Sequence, residues 1–176
     1  MTRRQFFQWT GAGMLGAAWQ GTPLREWLDT GSLARVTRQQ VNVYAETDMQ
    51  SEVVGKKFRD EILHVYYPVT AESGVNRLWY RTWGGYVHSG HLQMVAVRTN
   101  AVDAPIPDGG CPGEVTVPFS QSTRYRQYQG WESIYRLYFG SVHWITDLVE
   151  GPDRSPWYRL VDSYQREYYA PADHFR

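Results

Sequence analysis

The chain has 176 residues, with 18 basic side chains balancing 18 acidic ones, enough for one ordinary domain or two very small ones. Zero formal charge supplies no net field toward polyanions, which argues against a role in binding nucleic acid or an anionic membrane surface. The single cysteine, Cys111, leaves no internal disulfide to staple the fold, while eight Trp, thirteen Tyr and six Phe promise dense aromatic packing instead.

Residues 1–30 stand apart from the rest. Thr2-Arg3-Arg4-Gln5-Phe6-Phe7-Gln8 places two arginines ahead of an uncharged, Gly- and Ala-rich stretch from Trp9 to Trp19, a charged region followed by a mildly apolar one. The segment resembles a twin-arginine export signal, in which Arg3, Arg4 and Phe6 carry the pattern and Phe7 and Gln8 depart from its usual Leu and Lys. That resemblance implies export of the folded protein to the cell envelope or beyond. The apolar stretch is shorter than the about 20 residues that cross a bilayer roughly 30 Å thick. Membrane attachment is therefore expected only through an uncleaved signal.

From Ala34 onward the pattern is that of strands. Val41-Asn42-Val43-Tyr44 alternates as a half-buried strand does, and Val115-Thr116-Val117-Pro118-Phe119 does so until its proline. Glu52-Val53-Val54 and Ile62-Leu63-His64-Val65-Tyr66-Tyr67 are β-branched and aromatic runs suited to a pleated surface. Pro105, Pro107, Pro112, Asp103, Asp108, Gly109 and Gly110 mark 97–113 as a linker, with a turn at Asp108–Gly113. A 3.6-residue period is approached only over Glu132–Phe139. The expected class is all-β, with one unit over 34–96 and a second over 114–176. At about 60 residues each, small barrels suit better than sandwiches, because closure removes exposed sheet edges.

The two units also look like copies. Trp79-Tyr80-Arg81-Thr82 aligns with Trp157-Tyr158-Arg159-Leu160 at an offset of 78. Ile62-Leu63-His64-Val65-Tyr66 aligns with Ser141-Val142-His143-Trp144-Ile145 at 79, and Tyr86 to Leu92 with Tyr169 to Phe175 at 83. Three blocks kept in order indicate duplication.

Within the first unit, Trp79-Tyr80-Arg81-Thr82-Trp83-Gly84-Gly85-Tyr86-Val87-His88-Ser89-Gly90-His91-Leu92 resembles the end of bacterial SH3-like domains. Those domains close with a Trp-Tyr-x-Val strand, a tight turn, a Gly-Trp-Val strand and a short helical turn; here Tyr86 takes the place of the second Trp. Val41-Asn42-Val43-Tyr44-Ala45 resembles their opening Leu-Asn-Val-Arg segment, and Ser51-Glu52-Val53-Val54-Gly55 their next strand. The tandem, with Tyr128-Gln129-Gly130-Trp131-Glu132 and Tyr135-Arg136-Leu137-Tyr138-Phe139, is similar to the region preceding the catalytic domain of some L,D-transpeptidases, which cross-link peptidoglycan. Their Ser-His-Gly-Cys-x-Arg nucleophile motif does not occur in the sequence. Cys111 has neither a nearby His nor the following Arg, so thiolate chemistry lacks its activating base.

The candidate ligand-binding residues are Trp79, Tyr80, Trp83, Tyr86, Trp157, Tyr158, Tyr168 and Tyr169, amphipathic rings able to stack on sugars or clasp a peptide. Alternation along strands predicts that half or more of them build cores instead. His64, His88, His91, His143 and His174 lack zinc-ligand spacing, and the repeat sets His64 against His143 and His91 against His174, as fold positions would be; no metal or cofactor is expected. Glu132, Asp147, Glu150 and Asp153 fall on loops or charged turns and read as solvated charge rather than a hydrolytic pair. The expected function is non-catalytic: the barrels bind peptidoglycan, through stem peptide or glycan, or an envelope protein. The alternative is the accessory N-terminal part of an L,D-transpeptidase whose catalytic domain has been lost, is truncated or is encoded next door.

Overall fold

A computed structural model describes residues 33–102 and 105–176; Arg3, Arg4 and Phe6 of the expected export signal, and Asp103 of the linker, lie outside the described residues. The described chain is all-β, with no α-helix and two single 3₁₀ turns, Ser89–His91 and Ala172–His174. Residues 33–96 form strands β1 (Leu33–Val36), β2 (Gln40–Tyr44), β3 (Val53–Phe58), β4 (Ile62–His64), β5 (Tyr67–Thr70), β6 (Leu78–Thr82), β7 (Gly85–His88) and β8 (Leu92–Val95). They make a three-stranded sheet, β4-β1-β8, and a five-stranded sheet, β3-β2-β7-β6-β5. Residues 111–176 form β9 (Cys111–Glu114), β10 (Phe119–Arg126), β11 (Gly130–Tyr138), β12 (Val142–Glu150), β13 (Pro156–Val161) and β14 (Glu167–Pro171), in one sheet of order β11-β10-β14-β13-β12-β9.

Each half has its own apolar centre. Val36, Val41, Val43, Leu63 and Val87 pack in the first, and Val115, Val117, Leu137, Ile145, Tyr158, Leu160, Tyr168, Ala170, Ala172 and Phe175 in the second. These are the inward positions of alternating strands, so period-two patterning locates the cores.

Two local expectations give way. Glu132–Phe139 lies almost wholly in β11, because pairing with β10 from Phe119↔Tyr138 to Arg126↔Gly130 outweighs its weak helical period. The Asp108–Gly113 turn ends at Gly110; Cys111–Glu114 is already β9, laid antiparallel on β12 through Ile145↔Cys111 and Val142↔Glu114. Pro112 is tolerated there because β9 is the sheet's edge strand.

The two halves repeat one hairpin register. In β6–β7, Trp79 faces His88, Tyr80 faces Val87 and Arg81 faces Tyr86. In β13–β14, Trp157 faces Pro171, Tyr158 faces Ala170 and Arg159 faces Tyr169. The second set lies at the offsets of 78 and 83 read from the sequence. The middle block differs by one residue. Val36 pairs with Leu92 as Val115 bridges Phe175, and Ala34 pairs with Leu63 as Gly113 pairs with His143. His143 therefore corresponds to Leu63, not His64. A one-residue slip reverses faces, and the burial agrees, since Leu63 and Val65 are inward while His64 is exposed.

Candidate functional site

Alternation on the β6–β7 hairpin sends Tyr80 and Val87 to the inner face and Trp79, Arg81, Tyr86 and His88 to the outer. An outer-face tryptophan should be exposed, yet Trp79 retains only 3% of its surface. It is enclosed edge-on by Tyr44, at 5.7 Å between ring centroids, and by His88, at 5.1 Å. Its remaining edge borders a cleft of about 840 Å³ between the β2–β3 loop (Glu46 to Met49) and the β5–β6 loop (Ala71 to Asn76).

The loops have defined shapes. The Asp48 carboxylate accepts from the Gln50 amide at 2.9 Å, and the Ser51 hydroxyl donates to the Asp48 carbonyl at 2.7 Å. His88 accepts from the Gly90 amide through Nδ1, so its Nε2 carries the proton and donates to the Asn76 carbonyl at 2.9 Å. The Asn76 side chain in turn donates to the Ser89 hydroxyl at 3.0 Å and accepts from the Leu78 amide at 3.0 Å. One histidine thus fixes both the 3₁₀ turn and the far wall of the cleft.

Glu46, Asp48 and Glu72 line the opening. Among the described residues no basic side chain pairs with any of the three. The Trp79 indole N–H also has no hydrogen-bond partner among the described residues, and its nitrogen is not sealed from solvent. The site is a buried aromatic floor with one free donor under an uncompensated negative rim.

The second half builds the corresponding place differently. Trp157, 6% exposed, donates its indole N–H to the Asp153 carboxylate at 2.9 Å and to the Ser155 hydroxyl at 3.1 Å. Trp131 covers it at 6.2 Å between centroids and itself meets Tyr169 at 5.1 Å and Tyr125 at 5.4 Å. In the first half, β2 and β3 shift register between Val43 and Tyr44 and stop pairing at Tyr44↔Val53. By contrast β10 and β11, beyond their own shift between Gln121 and Thr123, stay paired to Arg126↔Gly130 at the hairpin tip, and Trp131 lies over Trp157.

Of the remaining sequence candidates, Tyr158 and Tyr168 are core residues, each 4% exposed, and Tyr80 is half-buried on the inner face. Tyr86 lies under the Arg81 guanidinium, 4.9 Å from its ring. Trp83, 85% exposed at the β6–β7 turn, shares a shallow concavity of about 510 Å³ with Tyr66, Tyr67 and Arg81. Sequence reasoning missed Tyr44, Asn76 and the acidic rim, because loops separate them from Trp79 by up to 35 positions and no motif links them.

The polar groups that resemble catalytic apparatus are committed to structure. Tyr168 donates to His143 Nδ1 at 2.7 Å, His143 Nε2 to the Ser141 hydroxyl at 2.8 Å, and Ser141 to the Tyr138 carbonyl at 2.6 Å. The serine proton points away from the histidine, so this chain of donors does not activate a nucleophile. Burial keeps His143 below the ordinary histidine pKa and Tyr168 above the ordinary tyrosine one. Asp147 pairs with Arg159 at 2.8 Å and Glu132 with Arg124 at 2.9 Å, apart from one another. Cys111 is half-buried against the second core. Among the described residues no group of three or more His, Cys, Asp or Glu could hold a metal ion, and no helix is long and apolar enough to cross a membrane. Compared with known protein families and with curated proteins, the chain matches none.

Proposed function

We propose that the chain is an exported, non-catalytic cell-envelope protein made of two tandem SH3-like barrels, and that it binds peptidoglycan. The observation that carries the binding role is the Trp79 cleft: about 840 Å³ of concave space over a tryptophan 3% exposed, with its one polar atom unpartnered. Concave, largely preformed sites with an apolar floor and few polar groups are where small ligands bind. Support for the tandem comes from the shared hairpin register of β6–β7 and β13–β14, and the choice of the cell wall rests on the twin-arginine and SH3-like resemblances.

The test is sedimentation of the full chain with insoluble peptidoglycan, beside Trp79→Phe, which keeps a ring between Tyr44 and His88 but deletes the N–H donor. The expected result is that the parent sediments and the variant, folded by circular dichroism, is depleted from the pellet several-fold. A parent that stays in the supernatant rules out the wall as ligand and leaves an envelope protein as the partner.

A further inference from the structure

The geometry points to the chemistry of the ligand: we infer that the Trp79 cleft takes a peptide-like amide that carries a cationic amine, in preference to a neutral sugar. The inference rests on the reading of this cleft as the binding site and narrows it. It comes from comparing the two halves at matched positions, since Trp79 and Trp157 occupy the same register point of the repeated hairpin.

In the second half that indole N–H is satisfied from within the chain, by oxygens of Asp153 and Ser155 at 2.9 and 3.1 Å. Its ring is covered by Trp131. The second half therefore carries its groove already filled, with an oxygen acceptor on the indole nitrogen. The first half leaves the same donor without a partner among the described residues, on a side chain 3% exposed that borders the cleft. That nitrogen reaches solvent, so a ligand that covers it must itself return an oxygen acceptor, since sealing the donor off without one would cost on the order of 1 to 3 kcal/mol.

The rim decides which acceptor. Glu46, Asp48 and Glu72 line the cleft without a basic partner among the described residues. A carboxylate seated on Trp79 would be repelled by three like charges. An amide carbonyl is not repelled, and an ammonium group a few atoms along the same molecule is attracted to the rim. A sugar hydroxyl would satisfy the indole and leave the rim unanswered. Both halves of the argument meet in one ligand class, an amide with a protonated amine.

The experiment is a titration of the ¹⁵N-labelled full chain that follows the indole N–H cross-peaks, with those of Trp79 and Trp157 assigned from Trp79→Phe and Trp157→Phe. The probes are Nα-acetyl-lysine N-methylamide, the uncharged Nα-acetyl-norleucine N-methylamide, and N-acetylglucosamine. The lysine amide is expected to move the Trp79 peak saturably and to bind about tenfold more tightly than the norleucine amide, an advantage that shrinks with added salt. Trp157 should stay in place. In Glu46→Gln/Glu72→Gln, both exposed positions, the lysine preference should fall while the spectrum remains that of the folded protein. Equal or tighter binding of norleucine amide or N-acetylglucosamine at Trp79 overturns the inference, as does a Trp79 peak that no probe moves. Sedimentation with peptidoglycan is scored separately: wall binding through Trp79 without lysine preference sinks this inference alone, whereas lysine preference without wall binding upholds it and removes peptidoglycan as the source.

Discussion

Trp157 shows how a tryptophan on the outer face of a strand becomes a buried one. Its indole lies against Gly151, where an added Cβ would come within 2.1 Å of ring carbon Cδ1 and 2.3 Å of the ring nitrogen. The ring cannot swing away without breaking its hydrogen bonds to Asp153 and Ser155 or its contact with Trp131. Gly151→Ala is therefore an overpacking substitution, for which a cost of about 2 kcal/mol is expected. Urea denaturation should show a lower midpoint at unchanged slope, and an unchanged midpoint would refute the close approach. The sequence offered part of this. The Trp-Tyr-Arg blocks of the two halves are legible as a repeat, and alternation shows that Trp and Tyr leave the strand on opposite sides. Whether an outer tryptophan floors an open cleft or is plugged by its own loop is not legible, because that depends on Asp153 and Ser155 in a turn and on Trp131 in another hairpin.

At the scale of elements, period-two patterning reaches the strands that have one wet face and fails where pairing or contacts overrule it. The Val41–Tyr44 alternation is β2. The run at Ile62–Tyr67 splits into β4 and β5, and the pairing of Ala34 with Leu63, matched by that of Gly113 with His143, makes Leu63 rather than His64 the counterpart of His143. That correspondence explains the behaviour of His143. It occupies an inward position of β12 and ties the strand to β14 through Tyr168. Burial lowers its pKa below the ordinary value of 6.5. The same cause acts on His174, whose Nδ1 shares a hydrogen bond of 2.8 Å with the Ser120 hydroxyl. The unfolded chain therefore takes up protons first as pH falls. Stability from these two residues is complete above about pH 6.5 and declines below it, until the folded-state pKa values are reached, with a slope of at most about 1.4 kcal/mol per pH unit for each histidine. Thermal unfolding followed between pH 7.5 and 5 should show a falling midpoint. His143→Gln should remove part of that slope, and a slope unchanged in the variant would mean that His143 is not held neutral by the fold.

At the scale of the whole molecule, the segment expected to be a loose linker is tied down. The Arg98 amide donates to the Thr116 carbonyl at 3.1 Å, and the Asn100 amide to the Asp173 carbonyl at 2.8 Å. Above that seam the halves meet through a charged cluster. Arg35, 6% exposed, donates to the Asp60 carboxylate at 2.7 Å and to the Gln93 side chain at 2.7 Å, and its guanidinium stacks 4.0 Å from the Tyr138 ring. Arg136 and the Tyr138 hydroxyl reach the second carboxylate oxygen from the other half. Burial alone would raise the Asp60 pKa, but the hydrogen bonds and charges of Arg136 and Arg35 outweigh it and hold the carboxyl below its usual range. The cluster's contribution is therefore present above about pH 4, near the unfolded value of 3.8, and is lost as pH falls through the folded one. Asp60→Asn keeps a residue that tolerates the positive φ of 68° found there while removing the charge. It leaves the Arg35 guanidinium buried without its counter-ion, at an expected cost of about 3 kcal/mol. Because Asp60 holds Arg35 within its own half and also receives Arg136 and Tyr138 from the other, part of the loss should fall on the coupling of the halves. Calorimetry of the parent is expected to give one cooperative transition, and of Asp60→Asn a lower and broader or divided one. A parent already unfolding in two steps would show that the halves are independent, and a variant keeping one sharp transition at the parent's temperature would show that the cluster carries no weight in joining them.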